Sequence, residues 1–363
     1  MINDLKLIIK DAFNKKIVIP DNLFLKKIDS IDGLRGISIL IVIFAHICIS
    51  KNIHFLGLPG VEIFFVISGF LITSLLLKEK ILKEEISLQK FYLRRFFRIV
   101  PVAYIFLITL YILNIFFNLK ISSSSFISDV FFLKRNIGDF QSKHFWSLSI
   151  EEQFYFFSPI FFIRNLNTYI LVSFLLIIFL PFSFIAASHH LFLKYEYIDI
   201  FFNFFDLVFN RELIYILTGS LTSILIFKGV INLSYINKKS NLFFFIFLFT
   251  LFVYNFYNRN PYIQEIVIPY FFPIIISFAI ISNLSENGSF FYKLLNHTFF
   301  KKIGLLSYSL YIWQQLFTNE QPWIGYFKFS DSIFFNIIIL IIVSLISYFF
   351  IELPFLNFKK RLH

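Results

Sequence analysis

Residues 31–47 read IDGLRGISILIVIFAHI, with an arginine, Arg35, and a histidine, His46, at opposite ends of a run of ten mostly apolar residues. Comparable apolar runs, each near the length needed to cross about 30 Å of hydrocarbon, follow at 60–77, 99–118, 149–163, 168–187, 212–228, 241–257, 264–282, 303–318 and 333–351. Together with residues 36–50 they predict an all-α integral membrane protein, a polytopic bundle of about ten transmembrane helices. The runs at 36–50 and 149–163 are short for a span, and residues 196–210 read as a further segment of re-entrant or interfacial type. On this reading residues 1–35 are an N-terminal segment, 36–351 the membrane domain and 352–363 a C-terminal tail.

Composition excludes the other classes. Of 363 residues, 58% are hydrophobic, 57 are Phe and only 15% are charged, and the mean hydropathy is +0.77. That is more apolar surface than a soluble domain of this length can bury. The net charge of +11 does not mark a nucleic-acid binder, because no basic domain stands apart from the apolar runs. It reports topology instead: with the N-terminus inside, most of the 33 Lys and Arg fall in inner segments, so both termini are expected in the cytoplasm. The one cysteine, Cys48, lies in an apolar stretch and is read as packing. No internal repeat supports an inverted-repeat transporter.

Two connections stand out. The inner one, KEKILKEEISLQKFYLRRFFR at 78–98, mixes Lys and Glu at helical spacing and ends in Arg94, Arg95 and Arg98 ahead of Pro101; it predicts a cytoplasmic amphipathic helix. The outer one, 119–148, contains the run Ser122 to Ser125 and leads into KHFWSLSIEEQFYFF at 143–157. Polar and aromatic groups there form the mouth of the fourth span.

An ionisable residue inside a bilayer costs roughly 2.5–3.5 kcal/mol and usually lines a functional cavity. His46 is such a residue, and Arg35 lies about 16 Å from it at 1.5 Å per helical residue, so the two cannot touch. The ordinary account of His46 is a membrane histidine bonded to a neighbouring carbonyl. Its company argues for more: Glu62 opens the second span, Glu151 and Glu152 open the fourth, and the predicted topology puts all three on the outer side with His46. A carboxylate that takes the proton of one imidazole nitrogen makes the other a base. On the inner side Arg94 and Arg98 share a helix face, Arg95 flanks them, and aromatic residues are interleaved. Guanidinium groups grip phosphate bidentately and stack on flat bases, although arginines at an inner boundary also serve simply to bind lipid headgroups and set topology.

Six blocks occur in order: IDGLRGISILIVIFAHI at 31–47, GVEIFFVISGFLIT at 60–73, FYLRRFFRIVP at 91–101, HFWSLSIEEQFYFF at 144–157, SYSLYIWQQ at 307–315 and IELPF at 351–355. Together they resemble the signature of the membrane-bound acyltransferase 3 family, bacterial enzymes that move acyl groups from acyl-coenzyme A to surface carbohydrate. The resemblance covers nearly the whole chain. It implies that Arg35 and His46 match the family's paired arginine and histidine, that Glu62 stands for its second-span aspartate, that Arg94, Arg95 and Arg98 match its arginine cluster, and that Trp146, Ser147, Leu148 and Glu151 match its WSL and glutamate block. Two departures are visible: Glu62 is a methylene longer than aspartate, and Gln314 stands where many members carry histidine.

The implied activity is O-acetylation in the bacterial inner membrane. Acetyl-CoA is the co-substrate, held by Arg35, Arg94, Arg95 and Arg98, and no metal is expected. His46 acts as base or transient acyl carrier with Glu151 or Glu62 orienting it. A lipopolysaccharide, polysaccharide or lipid-linked sugar is received at Trp146, Ser147 and Tyr155 by stacking and hydrogen bonding. The rival from another class is a transporter or flippase of a lipid-linked glycan, which explains the spans but not the ordered blocks.

Overall fold

The structure is a computed structural model, and it describes residues 14–23, 28–50, 57–133, 140–192, 195–256, 260, 262–318 and 321–360. Among these there is no β-strand. The long helices are α1 (Asp29–Ser50), α2 (Leu58–Lys83), α3 (Leu88–Phe117), α5 (Phe145–Arg164), α6 (Leu166–Ser188), α8 (Leu213–Phe227), α10 (Ser240–Phe256), α11 (Ile268–Ile281), α13 (Thr298–Thr318) and α14 (Ile333–Ser347). Shorter helices are α4 (Ser123–Val130), α7 (Glu196–Val208), α9 (Leu233–Asn237), α12 (Phe290–Leu295) and α15 (Leu353–Lys360). Wide π turns at Ile263–Val267 and Tyr348–Glu352 lead into α11 and α15.

Every predicted apolar run therefore falls on a helix. By length and composition, six of the helical stretches can cross a membrane: Asp29–Cys48, Leu58–Lys83, Leu88–Phe117, Leu166–Ser188, Ile263–Ile281 and Ile333–Phe358. The apolar helices α8 and α10 are shorter, at 15 and 17 residues, while α5 and α13 are long enough but carry more polar residues. This is a multi-pass, all-helical membrane architecture.

The two runs read as short gain length from polar ends. Helix α1 starts at Asp29, with Asp29 and Asp32 in its first turn, where acidic side chains suit the helix dipole, and α5 starts at Phe145. The segment at 196–210 forms the 13-residue α7, about 20 Å long at 1.5 Å per residue and too short for a span. The predicted amphipathic helix over 78–98 is not a separate element. Its first part finishes α2, its last part begins α3, and the chain turns between them over residues 84–87. Glu84 there has φ 60°, and Ser87 caps α3 by accepting from the Lys90 N–H at 3.4 Å. Lys and Glu at helical spacing fit both flanking helices equally well, so the pattern hid the break. Pro101 lies inside α3, as membrane helices tolerate. The tail at 361–363 and the first 13 residues lie outside the described residues.

The chain divides into two compact units. One is drawn from Met1–Leu34, Glu62–Ile86 and Phe154–Thr298. Within it α2 and α8 cross at two glycines: a Cβ on Gly69 would strike the Ile216 carbonyl and one on Gly219 the Val66 carbonyl. Close backbone approach of this kind joins membrane helices where no hydrophobic effect drives them together. Hydroxyls continue the seam, with Thr73 and Ser220 2.7 Å apart, Ser74 and Ser223 2.9 Å apart, and Tyr169 of α6 at 2.7 Å from Ser220. Helix α7 folds back on α6 through Phe179, Ala186, Ala187 and Phe202.

The other unit is drawn from Arg35–Val61, Ser87–Gln153 and Phe299–His363. Helices α3 and α13 run in the same direction, since Tyr308 donates to the Ile99 carbonyl at 2.6 Å while Phe106 meets Trp313 further along both. Helix α5 runs the other way beside α13. Gly36 of α1 lies on the Phe300 carbonyl of α13, and Gly60 of α2 on the Ser38 carbonyl and Val42 side chain of α1. Cys48 is buried in the packing, as read from the sequence.

Candidate functional site

His46 faces α1's own backbone with one nitrogen: Nδ1 lies 2.8 Å from the Val42 carbonyl oxygen. A carbonyl oxygen only accepts, so Nδ1 carries the hydrogen, and in the neutral ring Nε2 is left with its lone pair. The ring is half-buried. The bond that the bland account of this histidine requires is thus present, and it does the work assigned from sequence to Glu62 or Glu151: it fixes the tautomer. Lys143, two residues ahead of α5, acts on the ring electrostatically.

The entry of α5 is aromatic and buried. The His144 ring stands edge-on to Phe106, Phe145 and Tyr311, with centroids 5.2, 5.1 and 5.7 Å away. Ser147 donates to the His144 carbonyl at 3.0 Å and lies 2.6 Å from the Tyr311 hydroxyl. The Tyr311 hydroxyl also reaches the His144 carbonyl, at 3.2 Å, so the two hydroxyls share that acceptor and either can donate to the other. Trp146 is buried as well. Two of the three candidate sugar contacts, Trp146 and Ser147, are therefore buried at the start of α5. Sequence reading passed over His144 and Tyr311 although both lie in the quoted blocks; an aromatic-flanked polar residue at every third or fourth position was the available signal.

About one helical turn further, on α5 and α13 alike, the character changes to charge. Tyr308 feels Glu352, Glu152, Arg98 and Glu151; Glu152 feels Glu151 and Arg95; and Glu352 feels Arg98 and Arg35. Arg94 is buried, and the Arg95 guanidinium lies over the Phe91 ring at 5.8 Å. So Arg35, Arg94, Arg95 and Arg98, drawn from α1 and α3, belong to one compact unit with His46, Trp146, Ser147 and Glu151. The division expected from topology, arginines on one side and carboxylates on the other, is less clean than predicted, because Glu151 and Glu152 share their neighbourhood with the arginines. Glu352 is the member that sequence reading missed. An acid inside an apolar run just ahead of a proline, IELPF, was its signal.

Glu62 and Tyr155 fall in the other unit. Glu62 accepts from Tyr254 at 3.1 Å, and Tyr215 and Arg211 also bear on it. Arg211 in turn pairs with Glu212 at 3.0 Å and lies 4.4 Å from the Phe184 ring centre. Tyr155 is buried edge-on to Phe154. No group of three His, Cys, Asp or Glu able to hold a metal occurs among the described residues.

Comparison with known proteins points one way. The family model described as an acyltransferase domain matches residues 28–353. A peptidoglycan O-acetyltransferase of Listeria monocytogenes is 32% identical over 154 residues, 38% of this chain and 24% of that protein. A putative peptidoglycan O-acetyltransferase of Bacillus subtilis is 29% identical over 150 residues, 37% of this chain and 23% of that protein. A putative O-acetyltransferase of Staphylococcus aureus is 26% identical over 159 residues, 40% and 26% of the two chains. The matched stretch is thus about a quarter of each relative. No solved structure matches.

Proposed function

This chain belongs to the acyltransferase 3 family, its model spanning residues 28–353, and on that premise we propose that it is a membrane-embedded O-acetyltransferase carrying acetyl from acetyl-CoA to a hydroxyl of a cell-envelope carbohydrate. The observation that carries the reading is the tautomer of His46. Its Nε2 lone pair is free to take a proton beyond the apolar stretch that follows Ser38 in α1, and the residue shares a unit with four arginines of the kind that bind phosphate.

In this reading the coenzyme's phosphates rest on Arg35, Arg94, Arg95 and Arg98, and its arm extends along α1 across the roughly 16 Å that separate Arg35 from His46. As the acceptor oxygen bonds to the thioester carbonyl carbon, its proton passes to His46 Nε2. The tetrahedral intermediate collapses with cleavage of the C–S bond, and the departing thiolate takes that proton. The ester and free coenzyme A account for every atom. Val42 holds the ring throughout, so no carboxylate is needed on Nδ1. The names of the relatives favour a glycan acceptor.

We place the chain in the bacterial inner membrane by ten spans with both termini cytoplasmic, a topology that rests on the distribution of Lys and Arg. Membranes containing the chain should move labelled acetyl from acetyl-CoA to a glycan fraction, and His46→Ala should abolish that transfer. Undiminished transfer in the variant rules out the base. Orientation is checked separately, at two exposed positions. With Cys48 replaced by Ala, Ser124→Cys should react with an impermeant thiol reagent from outside and Glu85→Cys only from inside. Labelling of both from one side refutes the two-sided arrangement.

A further inference from the structure

Glu352 is 3% exposed and has no part in the proton transfer above. Its placement depends on an unusual piece of helix. Ser309 of α13 donates to Glu352 Oε2 at 2.9 Å and lies 3.4 Å from the Ser347 hydroxyl. Ser347 and Glu352 are five residues apart, and on an α-helix, at 100° per residue, such residues point about 140° away from each other. They can share Ser309 because Tyr348–Glu352 is a π turn closed by the Leu353 N–H on the Tyr348 carbonyl, and hydrogen bonds from i to i+5 stack residues at that spacing. Pro354 follows in the first turn of α15, where its missing N–H costs little. The chain therefore departs from regular helix at the one place that turns an acid toward α13.

What the acid meets there is a pair of like charges. Arg35 of α1 and Arg98 of α3 both act on Glu352, and packing brings both helices to the same stretch of α13: Tyr308, next to Ser309, donates to the Ile99 carbonyl beside Arg98, and Gly36, beside Arg35, abuts α13 at Phe300 and Gly304. Two guanidinium groups brought together in a low-dielectric interior repel. A carboxylate between them offsets the repulsion and still leaves a net positive charge.

We infer that Glu352, anchored by Ser309 through the π turn, is the positioning residue that holds Arg35 and Arg98 together as one phosphate-binding pair for the acyl donor. The inference rests on the donor role given to the arginines above, and it adds to that role the residue that makes two arginines from different helices act as one site.

The test uses full-length protein in detergent with coenzyme A as the titrated probe, followed by steady-state transfer. Glu352→Gln keeps shape and hydrogen bonding but removes the countercharge. It should weaken coenzyme A binding about tenfold or more, the scale of one charge-assisted interaction, and raise the donor KM while leaving the acceptor KM in place. Glu352→Asp should recover part of the loss because the charge returns. Ser309→Ala, a smaller change that keeps the acid, should weaken binding in the same direction by less, and it decides the matter if Glu352→Gln does not fold. Unchanged or tighter binding in the Gln and Ala variants, or a parallel rise in both KM values, overturns the inference. Failure of the wild-type protein to bind coenzyme A overturns the donor reading itself, and this inference with it.

Discussion

The two units differ in what accompanies their buried polar groups. In the unit built around α2 and α8, Glu62 accepts from Tyr254, Arg211 is paired with Glu212, and the hydroxyls of Thr73, Ser74, Tyr169, Ser220 and Ser223 pair with one another. Polar side chains there serve as glue between helices, with Gly69 and Gly219 letting the backbones close. In the unit built around α3 and α13, His46 keeps Nε2 outside its bond to Val42, and Arg35, Arg94, Arg95 and Arg98 belong to the same unit. Burial of a polar group therefore does not mark a site by itself. What separates the two units is the company of the histidine: in the second, a ring nitrogen outside the Val42 bond shares its unit with Arg35, Arg94, Arg95 and Arg98.

His46→Ala tests that contrast hardest. General-base catalysis is worth on the order of 10²–10⁴ in rate, so transfer should fall by at least that much. Thermal stability should barely move, since the ring is half-buried and its one bond is to its own helix. A variant that loses activity only because it melts early would place His46 with the glue and erase the distinction.

A smaller effect is expected from the arginines. Arg94→Gln with Arg98→Gln should weaken donor binding roughly tenfold or more, each charge-assisted bond being worth on the order of that factor. Lys at both positions should restore only part of it, because an ammonium lacks the planar fork that matches phosphate. Full rescue by Lys, measured by coenzyme A titration, would reduce these residues to topological charges.

Much of this contrast lies outside the reach of sequence. The apolar runs gave every long helix because bilayer thickness imposes length and composition directly on the chain, and the run between Arg35 and His46 put both on one helix, as the structure has them. Helix faces were harder to read, since spans such as α6 and α14 are apolar nearly all round and carry little periodicity to show which side is packed. The turn at 84–87 was hidden for the reason given above. The partners of Glu352 lie at 35, 98 and 309, and those of Glu62 at 211, 215 and 254; no local pattern joins residues so far apart. The bond from His46 to Val42 was the exception. It spans one turn of the same helix and was within reach of the spacing alone.

The smallest expected effect belongs to Glu62, the acid that the second-span motif put forward as an orienting group for His46. Removing one partner of a buried ion pair commonly costs about 3–5 kcal/mol because the other is stranded. That penalty does not apply to Glu62→Gln, because Arg211 retains Glu212 at 3.0 Å and the amide oxygen can still accept from Tyr254. With Nδ1 of His46 held by Val42, the base loses nothing by the change. Transfer should therefore fall by less than about tenfold, under 1.4 kcal/mol, with donor affinity unchanged and only a modest drop in melting temperature. Measured beside His46→Ala in the same membranes, a loss as deep as that of the histidine variant would move Glu62 from the glue to the catalytic machinery. The line between the two units would then have to be drawn by something other than the company of His46.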